Sequence, residues 1–338
     1  MRQPNFNNLL KVLDRKVPDR PTLFEFFMNV PLYERFNGTP YPKVRNSAEE
    51  VIYLANAFAK AGYDYVTVHG SEFNFPVPTR HSLETLSLNE GAGITTWDAF
   101  HTYQWPDPDA ADYSKLEKSA PYLPEGMKIL VMGPGGVLEN VIALTGYENL
   151  CFMLYDDPDL VQAIFDAVGE RLVRYYEISA QYDPVGVLIS NDDWGFKHQT
   201  FLGTDQMRQY VYPWHKKIVE TIHRAGKPAL LHSCGSFDVA MDDVINTMKY
   251  DAKHSYEDAI LPVEDSYERW HNQIAILGGI DVDFIIRSSP EEIQKRCKAM
   301  LERVKDRGGY ALGTGNSVPE YIPQEHYFAM IDCIRNDN

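Results

Sequence analysis

Short apolar runs rich in β-branched and aromatic residues alternate with long amphipathic segments along most of this chain. Strand patterns repeat every two residues and helical patterns every 3.6, so the alternation indicates successive β-strand and α-helix units. Eight strands separated by helices predict an α/β fold of the (β/α)8 barrel type. The predicted strands are residues 22–26, 63–68, 128–132, 185–190, 228–231, 252–255, 274–278 and 309–312, and the clearest helices are 48–61, 157–182, 205–225, 238–246 and 290–305.

The 338 residues are expected to form one barrel domain over 1–338, since barrels of this kind reach such lengths. Residues 69–126 interrupt the alternation and are rich in proline and aromatic side chains, among them Pro76, Pro78, Trp97 and Trp105. We expect this interval to be an elaborated loop region that acts as a lid, not a second domain. Residues 1–19 are expected to form a short helical arm packed outside the barrel.

Charge and cysteine content narrow the class of protein. The formal net charge is −16, from 48 acidic and 32 basic residues, and no basic run is present. This balance argues against nucleic acid or an anionic membrane as the partner. The four cysteines are far apart and form no CxxC pair, as in proteins of a reducing compartment. No apolar run approaches the length of a membrane span, so a cytoplasmic enzyme is expected.

Histidine and cysteine lie two residues apart, at His232 and Cys234, directly after the predicted strand 228–231. Alternate residues of an extended chain point the same way, so the imidazole and the thiol can converge on one point. Nitrogen and sulfur donors together suit Zn²⁺, which commonly has three protein ligands and one open position in enzymes. The pair therefore predicts part of a zinc site. The alternative interpretation is a buried histidine beside a small apolar cysteine.

Other polar side chains follow the predicted strands at the end of the barrel where active sites of this fold lie. Glu257 is expected to be the third zinc ligand and Asp281 is the second choice, because both are oxygen donors on strands near the fifth in sequence order. Glu25, Asp192 and His254 are expected to be catalytic, orienting the reacting group or transferring a proton. Each also has an ordinary explanation, such as a helix cap or a core hydrogen bond. The polar set is Glu25, Asn29, His69, Glu72, Asn191, Asp192, Asp193, His232, Cys234, His254, Glu257, Asp281, Thr314 and Asn316.

Three ordered motifs resemble the uroporphyrinogen decarboxylase superfamily, whose fold is a (β/α)8 barrel. The motifs are HSCG at 232–235, ILGGID at 276–281 and GTGNSVP at 313–319. Decarboxylases of the superfamily carry an Arg-Gln-Ala-Gly-Arg signature after the first strand, which suits a polycarboxylate substrate. Here residues 24–30 read FEFFMNV, without arginine, and Glu25 is expected to repel such carboxylates.

The other branch that the chain resembles comprises cobalamin-linked methyltransferases, several of which hold zinc through His-x-Cys at this strand end. The resemblance implies that His232 and Cys234 are ligands. Thiol-methylating members have a further cysteine near the eighth strand, where this chain has Gly313-Thr314-Gly315-Asn316. Either Glu257 or Asp281 then replaces that ligand, or the metal is absent.

The leading hypothesis is a zinc-dependent methyltransferase that moves a methyl group between a small donor or acceptor and a corrinoid carried by a partner protein. The donor or acceptor would be an aryl methyl ether, a methylated amine or a thiol. One alternative is a carboxy-lyase of the uroporphyrinogen decarboxylase type. The third option is a non-catalytic barrel that binds a corrinoid partner.

Overall fold

The computed structural model describes residues 2–77 and 93–335. Within them, seven parallel strands form one sheet whose spatial order is the order along the chain. Each successive pair is linked by a crossover that contains helix, as parallel strands require. The strands are β1 Tyr65–His69, β2 Lys128–Met132, β3 Val185–Asn191, β4 Ala229–His232, β5 Ala252–His254, β6 Ala275–Leu277 and β7 Tyr310–Ala311.

The predicted first strand, 22–26, is reduced to a single parallel bridge between Leu23 and Leu312, directly after β7. Its other side faces β1, where the Tyr65 hydroxyl donates to the Glu25 carbonyl at 2.6 Å. The segment therefore occupies the place of the eighth strand between β7 and β1. The (β/α)8 barrel is confirmed, with this one position held by a bridge and side-chain contacts in place of a ladder.

Helices surround the sheet, and those with strong sequence signals lie where they were predicted. Residues 290–305 correspond to a helix whose N-cap is Ser289, followed by Pro290 at the first helical position. The α-helices in the described ranges are α1 Phe6–Leu13, α2 Val30–Asn37, α3 Ala48–Ala61, α4 Trp97–Thr102, α5 Lys115–Lys118, α6 Val137–Thr145, α7 Tyr147–Asp156, α8 Pro158–Ala180, α9 Thr204–Gln206, α10 Tyr212–Arg224, α11 Val263–Trp270, α12 Val282–Arg287, α13 Pro290–Val304 and α14 Gln324–Arg335.

Two predicted helices are irregular. The segment predicted as 205–225 contains a π-helical turn, Met207–Val211, between α9 and α10. Pro213, the second residue of α10, has no N–H to donate to the preceding turn, which accounts for the wider winding. The segment predicted as 238–246 has a π-helical turn at Asp243–Met248.

The predicted lid interval contains α4, α5 and two 3-10 turns, Pro108–Ala110 and Ala120–Tyr122. Its part from 78 to 92, including Pro78, lies outside the described residues, so the lid remains a prediction. None of the helices in the described residues is long and apolar enough to cross a membrane.

The N-terminal arm covers the end of the barrel at which the strands begin. Phe6 of α1 donates its backbone N–H to the Gly126 carbonyl at 2.9 Å. A Cβ at Gly186, in β3, would lie 2.6 Å from the Phe6 ring, so the absence of a side chain there lets the ring pack closely. Leu9 and Val12 of the same helix are fully buried. The arm therefore leaves the opposite end, where the strands finish, as the face available for chemistry.

Candidate metal centre

Strand β4 brings His232 and Cys234 together. His232 is the last residue of the strand, and Cys234 lies two residues further on the same side. The His232 Nε2 and Cys234 Sγ atoms are 3.9 Å apart. Two ligands of one zinc ion, at roughly 2.0–2.3 Å from it, are separated by about 3.5–4 Å. The spacing of the two donor atoms therefore fits a shared metal.

The third residue of the cluster is Asp193. One donor atom from each of Asp193, His232 and Cys234 can be chosen so that all three lie within 4.8 Å of one another. Strand β3 pairs with β4 so that Asn191 is opposite His232, which places the residues after both strands side by side. The Cys234 N–H donates to Asp193 Oδ1 at 2.8 Å. That bond orients the carboxylate and leaves its second oxygen available to a metal.

The tautomer of His232 follows from its neighbour, His254. His254 Nε2 lies 3.2 Å from the Thr314 carbonyl, which can only accept, so this nitrogen carries the proton. Burial lowers the pKa of His254 to about 3, so its Nδ1 is an unprotonated acceptor. His232 Nδ1, at 2.8 Å, must therefore donate to it. Burial also holds the pKa of His232 well below its usual value, which leaves Nε2 with a free lone pair facing Cys234.

The Cys234 sulfur is surrounded by donors. Asn316 donates from Nδ2 to Sγ at 3.2 Å, and the Ser255 hydroxyl lies 3.4 Å from the same atom. Ser255 has φ +91°, a left-handed conformation that costs free energy for a residue with a side chain. Burial and the adjacent Asp193 raise the pKa of the Cys234 thiol to about 12. Without a metal the thiol is therefore protonated at pH 7, and metal binding would release that proton.

Lys253 lies behind the cluster, on the outer side of β5. Its ammonium group bonds the Ser255 carbonyl at 2.5 Å and is 4.1 Å from the Phe237 ring centre and 4.4 Å from that of Tyr256. Burial lowers the pKa of Lys253 to about 7, although the nearby carboxylates of Asp193 and Glu257 favour the charged form. The residue was not singled out from the sequence, because a lysine within a short strand gives no signal of its burial.

Asp192, which was predicted to be catalytic, does not join the cluster. Its side chain is fully buried on the helix side of β3. Oδ1 accepts from the Glu139 N–H at 2.9 Å, and Oδ2 accepts from Leu138 N–H and Trp194 Nε1 at 3.0 Å each. His215 Nε2 lies 2.8 Å from Oδ2. The carboxylate thus anchors the N-terminus of α6 and the loop after β3, and successive residues of the extended segment send Asp193 to the opposite side.

Glu257 and Asp281, the two predicted third ligands, also lie outside the cluster. Asp281 is the N-cap of α12, accepting from the Phe284 N–H at 2.9 Å and from the Asp258 N–H at 2.8 Å. Glu257 lines an open cleft of about 1000 Å³ beside the cluster, together with Asp281 and Asn316. Both carboxylates are at the predicted end of the barrel, but neither reaches the nitrogen and sulfur donors.

Glu25 and His254 lie beneath the cluster, inside the barrel. Glu25 is fully buried and bonds Thr314, and His254 is fully buried and bonds His232. Neither is open to a substrate. At the edge of the cluster, burial and the adjacent Asp192 and Asp193 raise the pKa of Glu139 to about 8. Glu139 is half-buried, so its carboxyl borders the site. Glu25 and His254, which were predicted to be catalytic, do not.

The donor set fits zinc. Imidazole nitrogen, thiolate sulfur and carboxylate oxygen are its ordinary ligands, and three protein ligands leave a position for substrate, as in catalytic sites. His232 Nε2 is unprotonated, and its other nitrogen is held by a hydrogen bond, as is usual for metal-binding histidines.

The fold and the cluster define a (β/α)8 barrel with a candidate metal centre where the strands end. A family model described as uroporphyrinogen decarboxylase (URO-D) matches residues 129–336. The chain belongs to the uroporphyrinogen decarboxylase family, as the sequence motifs predicted.

Relatives within the family carry different names. A methylated-thiol–coenzyme M methyltransferase of Methanosarcina mazei is 23% identical over 177 residues, which are 52% of this chain and 46% of that protein. A uroporphyrinogen decarboxylase of an Anaeromyxobacter species is 22% identical over 246 residues, 68% of this chain and 67% of the relative. This chain thus spans less than half the length of the first of these. A solved methyltransferase from Methanosarcina mazei has a similar fold, with a TM-score of 0.71, 17% identity and 99% coverage of both chains.

Proposed function

We propose that this protein is a zinc-dependent methyltransferase that moves a methyl group between a small donor or acceptor and a corrinoid carried by a partner protein. The observation that carries the proposal is the convergence of Asp193, His232 and Cys234 at the active end of the barrel. The methyltransferases among its relatives support the reaction class.

In this proposal Asp193, His232 and Cys234 hold the zinc. When bound, zinc would act as a Lewis acid on the sulfur, oxygen or nitrogen atom that bears or receives the methyl group. Cys234 loses its proton on binding, while Asn316 Nδ2 remains a donor to the sulfur. Glu139 lies beside Asp193, burial and the neighbouring carboxylates raise its pKa, and it is the group available to transfer a proton to a leaving heteroatom.

The first experiment is elemental analysis of purified protein after supplementation with Zn²⁺. We expect one equivalent in the wild type and loss of most of it in Cys234→Ser, because the thiolate is the softest of the three ligands. Cys151→Ser is the matched control, since Cys151 lies in α7 and outside the cluster. Absence of zinc from the wild-type protein, or stoichiometric zinc in Cys234→Ser, would contradict the proposal.

The reaction class is tested separately with free corrinoids. Methyl transfer between methylcobalamin and a thiol, or from an aryl methyl ether or methylated amine to cob(I)alamin, changes the corrinoid absorption spectrum. We expect turnover with a member of these classes only when zinc is bound. Formation of coproporphyrinogen from uroporphyrinogen under anaerobic conditions would instead support the carboxy-lyase. Zinc binding without either reaction would favour the non-catalytic barrel.

A further inference from the structure

Glu25 and Thr314 form a buried pair beneath the candidate metal centre. Both side chains are enclosed. The Thr314 N–H donates to Glu25 Oε1 at 2.8 Å, and the Thr314 hydroxyl lies 2.7 Å from Glu25 Oε2. The same hydroxyl lies 2.5 Å from the Asn316 carbonyl. Thr314 Oγ1 thus takes part in two hydrogen bonds, each with an oxygen atom.

The number of protons decides the direction of these two bonds. A hydroxyl group has one proton, and the Asn316 carbonyl can only accept, so the Thr314 proton points to that carbonyl. The bond to Glu25 then needs a proton on the glutamate. Burial raises the pKa of Glu25 to about 8, which agrees with a protonated carboxyl at neutral pH. Glu25 therefore donates to Thr314 and accepts from its N–H.

Two branches run from Thr314 to the candidate ligands. The Thr314 carbonyl accepts from His254 Nε2, and His254 Nδ1 accepts from His232 Nδ1. The Thr314 hydroxyl holds the Asn316 backbone, and the Asn316 side chain donates to Cys234 Sγ. One branch ends at the nitrogen ligand and the other at the sulfur ligand.

A glycine makes room for this arrangement. Gly278 has φ +66°, which favours glycine, and a Cβ there would lie 2.3 Å from the Thr314 carbonyl oxygen and 3.0 Å from the His254 ring. A side chain at 278 would displace the bond between these two residues. The ILGGID motif thus includes a residue whose lack of a side chain permits the hydrogen-bond network.

We propose that Glu25 and Thr314 are positioning residues for the metal centre, acting on His232 through His254 and on Cys234 through Asn316. The inference rests on the proposed zinc site, but the network makes a prediction that needs no metal. In the metal-free protein, His232 must carry its proton on Nδ1. Nitrogen-15 NMR of histidine-labelled protein distinguishes the two tautomers, and a protonated Nε2 on His232 would overturn the proposal.

Near-isosteric pairs of variants test the influence on the metal. Glu25→Gln keeps one acceptor and one donor, so it should bind Co²⁺ within about threefold of the wild type. Glu25→Leu removes both, so we expect about 10–100-fold weaker binding, as is usual for groups that support metal ligands. His254→Asn retains an acceptor near Nδ1 and should bind better than His254→Leu. Thr67→Val is the control, because Thr67 is a buried strand residue whose hydroxyl has no partner.

Binding is measured by competition with a chromophoric chelator, and the thiolate-to-Co²⁺ absorption band reports the sulfur ligand. We expect Glu25→Leu to alter this band and Thr67→Val to leave it unchanged. Equal Co²⁺ affinity and spectra for Glu25→Leu, His254→Leu and the wild type would overturn the proposal, as would Glu25→Gln behaving like Glu25→Leu. A wild-type protein that binds no metal would overturn both proposals, whereas metal binding that does not depend on Glu25 and His254 would overturn this one alone.

Discussion

The adjacent residues Asp192 and Asp193 should respond in opposite ways to the same substitution. Asp192→Asn replaces a buried carboxylate that accepts from Leu138, Glu139, Trp194 and His215. An amide keeps one acceptor oxygen and turns the other position into a donor that faces a donor. Losing one such bond and weakening three charge-assisted ones costs about 3–5 kcal/mol of unfolding free energy.

For a chain of 338 residues the unfolding entropy is about 0.7 kcal/mol per kelvin, so Tm should fall by about 4–7 °C. The measurement is thermal unfolding of the metal-free protein, which removes any contribution of bound metal to Tm. Asp193→Asn should change this Tm by no more than about 1 °C, because the Asn oxygen can still accept from the Cys234 N–H. Its effect should appear in Zn²⁺ affinity, with a loss greater than the roughly 10–100-fold cost of outer-shell changes.

The reverse pattern would refute this reasoning. If Asp192→Asn kept its Tm while Zn²⁺ affinity fell, Asp192 would be the ligand and the alternation after β3 would be misassigned. If both variants bound zinc as the wild type does, neither carboxylate would coordinate, and the cluster would reduce to His232 and Cys234.

Two further predictions concern residues around the cluster. Glu257→Gln should retain Zn²⁺ affinity within about threefold in chelator competition, since Glu257 lies outside the donor cluster; a loss above tenfold would restore it as a ligand. Lys253→Met should change how stability depends on pH. The pKa of Lys253 falls from 10.5 to about 7 in the folded chain, so between these values the unfolded chain binds the extra proton and the unfolding free energy rises with pH. Denaturant unfolding at pH 7 and pH 10 should show this rise in the wild type, by up to about 4 kcal/mol, and its loss in Lys253→Met; parallel profiles would contradict it.

The strands were predictable because each short β-rich run lies between helical patterns. The segment 22–26 has the same composition as a strand, yet only Leu23 pairs in the sheet. Its position between β7 and β1 depends on closure of the barrel and on contacts such as Tyr65 with Glu25. The periodicity of the sequence indicates which residues are buried, but it does not indicate how many backbone N–H and C=O groups form hydrogen bonds in the sheet.

The nitrogen and sulfur donors were predictable because they lie on one strand end, where local geometry settles their direction. The oxygen donor was not. Strands β3 and β5 both flank β4, so Asp193 and Glu257 were equally near in topology. Which of Asp192 and Asp193 faces the cluster depends on the path of the chain after β3. Nearness in strand order therefore favoured Glu257, although the carboxylate in the cluster follows the preceding strand, β3.

The position of Glu25 changes the reason for preferring one family branch over the other. A charged glutamate facing the pocket would repel a polycarboxylate substrate, which was the expectation from the sequence. Glu25 is fully enclosed and bonded to Thr314, so it presents no charge to a substrate. The absence of arginine from residues 24–30 still disfavours carboxylate binding there. The methyltransferase is favoured by a different observation. A buried network beneath the site leaves His232 Nε2 unprotonated and directed at Cys234, an arrangement that metal binding requires.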